Sequence, residues 1–111
     1  ASFYNSGQVC ISLQRIYVQD EIYDKFAKEL IDETKKLTVG DPYDKDTFIG
    51  PLITQEAVFR AKSWVESAIK EGAKLLCGNT NKERIFYPTV LGEVTDDMKI
   101  VCEEVFAPIV S

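Results

Sequence analysis

The hydrophobic rhythm of the chain changes at Asp20. Before it, Arg15-Ile16-Tyr17-Val18 is β-branched and aromatic, which predicts a short strand bounded by Gln14 and Gln19. After it, Ile22, Phe26 and Leu30, with Ala27, Ile31 and Leu37 beside them, form an apolar stripe at helical spacing, and charged residues fill the opposite face. Lys35 and Lys36 suit the carboxyl end of that helix, where cations meet the negative pole of the backbone dipole, and Gly40 followed by Pro42 stops it. Asp41 to Thr47 is rich in turn formers and leads to Gly50-Pro51.

A second helix is expected after Thr54, whose hydroxyl can cap it, with Glu56 favourable in the first turn. Val58, Ala61, Val65 and Ala68 recur at helical spacing, flanked by Trp64 and Ile69, and Gly72 marks the stop. Lys74-Leu75-Leu76-Cys77 reads as a strand and Asn79 to Arg84 as a polar loop. Ile85-Phe86-Tyr87 and Thr89-Val90-Leu91 are extended, with Pro88 between them predicting an edge or irregular strand. The segment from Ile100 ends in the strand-like Ile109-Val110. Strands alternating with two helices predict an α/β fold, a parallel or mixed sheet with flanking helices. Two helices are few for covering both faces of such a sheet, so further chain is expected beyond both ends.

At 111 residues, 45% hydrophobic and 28% charged, the chain is ordinary globular protein with material for one core. A net charge of −5 excludes the basic face that nucleic acid or an anionic membrane surface would need as main partner. No apolar run approaches the roughly 20 residues that span a bilayer, and Ala1-Ser2-Phe3-Tyr4 has no signal-peptide character. The 3 cysteines, Cys10, Cys77 and Cys102, are scattered and odd in number, which predicts free thiols and a cytoplasmic, reducing setting. With no histidine and no paired cysteines, no metal site is expected; Asp41, Asp44 and Asp46 lack the turn glycine and alternate ligands of a calcium loop and read as turn formers.

The candidate chemistry sits in Asn5-Ser6-Gly7-Gln8-Val9-Cys10, where a cysteine follows a small, polar, glycine-containing stretch. Such a cysteine is expected on a sharp turn opening a helix, where backbone N–H groups favour the nucleophilic thiolate. The absence of histidine removes Cys-His arrangements. Cys77 reads as core, and Cys102 as a poor nucleophile beside Glu103 and Glu104. Arg15 and Trp64 are expected to be structural.

Phe3-x-Asn5-x-Gly7-Gln8-x-Cys10 with Arg15-x-x-Val18 resembles the active-site cysteine signature of the aldehyde dehydrogenase superfamily. Gly40-Asp41-Pro42-x-Asp44, Gly50-Pro51-Leu52-Ile53, Tyr87-Pro88-Thr89-Val90 and Glu103-Glu104-Val105-Phe106-x-Pro108 resemble later motifs of that family, in the same order. The resemblance implies that residues 1–111 are part of the catalytic domain, with the cofactor-binding half and the oligomerisation strand outside the chain. It implies Cys10 as nucleophile, forming a thiohemiacetal and then a thioester with an aldehyde. It also implies Glu104 on the ribose hydroxyls of NAD or NADP and Phe106 near the nicotinamide. The family's general-base Glu and oxyanion Asn lie before the cysteine and are not in this chain, so the piece alone is expected neither to turn over nor to hold the cofactor stably. The parent is expected to be a homo-oligomer acting on a small aldehyde. Ala107 stands where glycine is commoner in the family. Apolar Val9 and Ile11 around Cys10, with no adjacent arginine, favour an uncharged or weakly polar aldehyde. Two other functions stay open: a folded, non-catalytic interaction module, and a thiol-based redox sensor using Cys10.

Overall fold

A computed structural model describes residues 1–111. Helix α1 spans Tyr23–Lys35, extended at its start by a tight turn over Asp20–Ile22, and α2 spans Gln55–Lys70. The strands are β1 Lys74–Cys77, β2 Asn81–Lys82, β3 Ile85–Phe86, β4 Thr89–Gly92 and β5 Ile109–Val110, with a single helical turn, α3, over Lys99–Cys102. A three-stranded sheet has the order β1-β4-β5, β1 antiparallel and β5 parallel to β4, so the sheet is mixed. No helix is long and apolar enough to cross a membrane.

The hydroxyl of Thr54 accepts the Ala57 N–H at 3.1 Å, closing the first turn of α2 as its sequence requires. That helix buries Ala57, Val58, Ala61, Val65 and Ala68 in the larger core, together with Leu52, Phe86, Leu91, Met98 and Ile109. Helix α1 behaves differently. Only Thr34 is buried, and Leu30 is partly buried against a second, smaller core of Phe3, Ile49, Val90 and Val110. A cavity of about 270 Å³ remains between α1 and the sheet, lined by Phe26 and Leu30 on one side and by Leu76, Val90 and Val110 on the other.

Four local expectations are corrected. No helix follows Cys10; the chain makes one turn, closed by the Ser12 N–H to the Val9 carbonyl at 3.1 Å, and then runs extended. The predicted strand at Arg15–Val18 is that extended segment. It alternates exposed and half-buried residues from Ile11 to Val18 and meets Ser111 through Ile16 N–H to Ser111 O (2.8 Å) and Ser111 N–H to Gln14 O (2.9 Å), the parallel ladder pattern. Of the two alternatives read from Pro88, the edge is corrected and the irregular strand stands: β4 is central, its pairing with β1 shifts register between Leu75 and Cys77, and Pro88 precedes the strand so that its missing N–H falls outside the ladder. The polar loop from Asn79 to Arg84 contains one arm of the antiparallel β2–β3 hairpin, which turns at Glu83 with φ of 51°.

The first ten residues are held by main chain from two distant segments. Asn5, Ser6 and Gly7 all have positive φ, at 49°, 55° and 71°. A Cβ on Gly7 would lie 2.1 Å from the Ala107 carbonyl oxygen, so only glycine allows this approach. The buried Ser6 hydroxyl both accepts the Gly50 N–H and donates to the Gly50 carbonyl, each at 3.1 Å. Replacing Ser6 with alanine strips both Gly50 groups of their partner and is expected to cost about 1–3 kcal/mol. Thr54→Ala, by removing the cap of α2, should cost about 1 kcal/mol. Urea denaturation monitored by circular dichroism measures both, and a midpoint unchanged by S6A would show that the serine contact does not hold the loop.

Candidate active site

Cys10 sits at the turn that follows this clamped loop, and its side chain is exposed. The positive φ values at Asn5 and Ser6 cost about 1–3 kcal/mol each for residues other than glycine, so they persist only where surrounding contacts fix them. Those contacts are on both sides. Gln8, a motif residue whose side chain carries no local sign of its role, accepts the Ile53 N–H on its side-chain oxygen at 2.9 Å. Ser6 holds Gly50 one turn earlier. The Gly50–Ile53 stretch is itself tied to the hairpin by the Leu52 N–H to the Arg84 carbonyl at 2.8 Å and by the Arg84 guanidinium to the Ile53 carbonyl at 3.1 Å. The backbone N–H of Cys10 engages no acceptor.

An open cleft brings part of the predicted site together. One wall is the stretch from Cys10 to Tyr17, and the other is Val101, Cys102, Glu103 and Glu104. Cys10 and Glu104 therefore face one space, while Phe106 does not line it. Phe106 is half-buried and takes the left-handed conformation, φ 50°. Ala107 is buried, its carbonyl against Gly7. The segment is anchored from α2, where the Arg60 guanidinium donates to the Val105 carbonyl at 3.1 Å, fixing the main chain between Glu104 and Phe106. Arg60 is a positioning contact that an exposed arginine on a helix gives no sequence signal for.

The cleft is lined by two carboxylates, Glu103 and Glu104, and one cation, Arg15. Glu103 lies 3.9 Å from Lys99, which also stacks 4.8 Å above the Trp64 ring. Arg15, expected to be structural and to need a partner among apolar neighbours, is instead exposed on the cleft wall and makes no ion pair or side-chain hydrogen bond. Its strand exposes alternate residues, so the guanidinium points away from the core. Cys77 lies elsewhere, half-buried at the end of β1, and burial pushes its thiol upward from the ordinary value.

A nicotinamide cofactor finds one matching feature here. Glu104 is an exposed carboxylate free of ion pairs, a suitable acceptor for vicinal ribose hydroxyls beside Cys10. Phe106, the residue implied for the nicotinamide ring, lies outside the lining of this cleft, so the match is confined to the ribose end.

The family model for the aldehyde dehydrogenase family matches residues 1–111. The chain is 47% identical over 110 residues to a 3-sulfolactaldehyde dehydrogenase of Priestia aryabhattai, covering 99% of this chain and 23% of that protein. It is 41% identical to human retinaldehyde dehydrogenase 3, covering 96% of this chain and 22% of the relative. Among solved structures, aldehyde dehydrogenase 21 of Physcomitrella patens, in complex with the product succinate, superposes with a TM-score of 0.94 at 38% identity, over 98% of this chain and 23% of that one. A glyceraldehyde-3-phosphate dehydrogenase of Methanocaldococcus jannaschii complexed with NADP gives 0.92 at 45% identity, over 98% and 24%. The chain spans under a quarter of the length of each of these relatives. Matched from its first residue to its last in sequence, and closely in fold, this chain belongs to the aldehyde dehydrogenase family.

Proposed function

We propose that this chain is the nucleophile-bearing segment of the catalytic domain of an NAD(P)-dependent aldehyde dehydrogenase. The observation that carries the reading is the placement of an exposed thiol, Cys10, and an exposed carboxylate, Glu104, on one cleft behind a rigidly held loop. Cys10 attacks the aldehyde carbon and forms a thiohemiacetal, whose oxygen takes up negative charge as the bond forms. The unengaged N–H of Cys10 is a donor already in place for that oxygen. Loss of a hydride converts the adduct to a thioester on Cys10, which water or another acyl acceptor then cleaves. A bound NAD or NADP would supply the hydride acceptor, with Glu104 holding its ribose hydroxyls and Phe106 beside its ring.

Preorganisation is the contribution of this segment. The clamp at Ser6, Gly7 and Gln8 keeps Cys10 from collapsing into the chain, so little motion is required before attack. The general base and the greater part of the cofactor site belong, on this reading, to the rest of a longer enzyme, which is also where homo-oligomer contacts and the cytoplasmic setting would be decided. The substrate is a small aldehyde. Val9 and Ile11 beside Cys10, with no arginine next to the nucleophile, favour an uncharged or weakly polar one.

Thiol labelling tests the assignment of the nucleophile. With iodoacetamide near neutral pH, Cys10 should be alkylated severalfold faster than Cys77, whose burial keeps less of it as thiolate; raising the pH should narrow the gap as Cys77 ionises. Equal rates at neutral pH would remove the case for Cys10. In the longer enzyme, Cys10→Ala should lower kcat on the order of 10⁴-fold, read from NAD(P)H absorbance. Glu104→Gln should raise the KM for the cofactor more than that for the aldehyde.

A further inference from the structure

The cleft that holds Cys10 holds a second thiol. Cys102 is exposed at the end of α3 and lines the wall opposite the stretch from Cys10 to Tyr17. Its sulfur has one weak contact, to the Lys99 carbonyl at 3.9 Å, which costs little to exchange. Cys77, the remaining thiol, lines a different pocket with Thr34, Leu37 and Pro88. Cys10 and Cys102 are therefore the two exposed thiols that line one cleft, and Cys77 does not line it. Beside Cys102, the Glu103 carboxylate is paired with Lys99 at 3.9 Å, and Arg15 is a cation on the lining of the same cleft.

We propose that Cys10 and Cys102 form a reversible disulfide across this cleft, a peroxide-driven lock that covers the nucleophile and spares it from irreversible oxidation. The proposal rests on the reading of Cys10 as the reactive thiol. The Cys10 thiolate attacks hydrogen peroxide; an S–O bond forms, the O–O bond breaks and hydroxide leaves. This oxidises the sulfur by two electrons to a sulfenic acid and reduces the peroxide. The Cys102 thiol gives up its proton and attacks that sulfur as the thiolate; the S–S bond forms, the S–O bond breaks, and the departing hydroxide combines with that proton as water. A dithiol reductant reverses the sequence by thiol–disulfide exchange. While the bond stands, Cys10 cannot add to an aldehyde and Cys102 holds the cleft closed above Glu104. Closure requires the two Cα atoms to come within roughly 7 Å.

The 111-residue chain is treated with hydrogen peroxide, free thiols are alkylated, and peptides are mapped by mass spectrometry without reduction. A linked peptide pair joining Cys10 and Cys102 is expected, with Cys77 still alkylated and both sites recovered by dithiothreitol. Cys102→Ser should abolish the pair and drive Cys10 on to sulfinic acid, whereas Cys77→Ser should leave the pair intact. Sulfinic acid on Cys10 of the unsubstituted chain, with Cys102 free, overturns the lock and leaves the nucleophile reading standing. Oxidation of neither residue, under conditions that oxidise a free cysteine in solution, overturns both.

Discussion

The approach of Gly7 to the Ala107 carbonyl is the constraint on which the site depends. An approach in which a single methyl group would clash at 2.1 Å leaves no room for error in either segment. It locks the loop before Cys10 to the loop after Glu104, although almost a hundred residues separate them in sequence. The left-handed residues Asn5 and Ser6 are the cost of bending the chain into that contact, and the Ser6–Gly50 bonds offset it. Once this junction is set, Cys10 has one place to go, at the tip of a turn on the open side.

Around the junction the two helices have unequal duties. Helix α2 is a structural pillar: it fills the larger core, and Arg60 reaches from it to fix the main chain at Val105. Helix α1 covers the other side of the sheet less completely, leaving space beneath Phe26 and Leu30. The nucleophile and the carboxylate are thus both referenced to the better-packed half of the molecule. That is a physical reason for a functional cleft to lie there, since a site held to within fractions of an ångström needs support that does not yield.

Much of this was legible in the residues. The cap at Thr54, the bounds of α2 and the whole of β1 follow from side chains that act on their own neighbourhood, and local chemistry decides them. Cys10 and Glu104 were marked by family motifs, and the fold brings them to one cleft. What the sequence hid is what distant segments decide. Arg15–Val18 has strand composition, yet its ladder partner in the structure is Ser111 alone. Pro88 marked an edge or an irregular strand; the strand is irregular in its pairing with β1, but its position just after the proline lets it be central. Ser6 and Gln8 are small polar residues in a loop, and nothing local reveals that their partners are the main chain at Gly50 and Ile53. Arg15 was expected to be structural and to need a carboxylate or carbonyl partner among apolar neighbours; alternation along an extended chain turns it outward, where it makes no such contact.

The cavity beneath α1 has a bearing on how the molecule breathes. A helix attached by half-buried side chains over a void has fewer contacts to lose than one sunk in the core, so its amides should exchange with solvent through partial openings well below the global unfolding free energy. Such an excursion would lift α1 away while α2, the 50–53 stretch and the Cys10 turn stay registered to one another. The two spaces have Arg15, Tyr17 and Val101 in common, so each opening of α1 would be felt along one side of the cleft while the Ser6, Gly7 and Gln8 contacts keep the thiol's own turn in place.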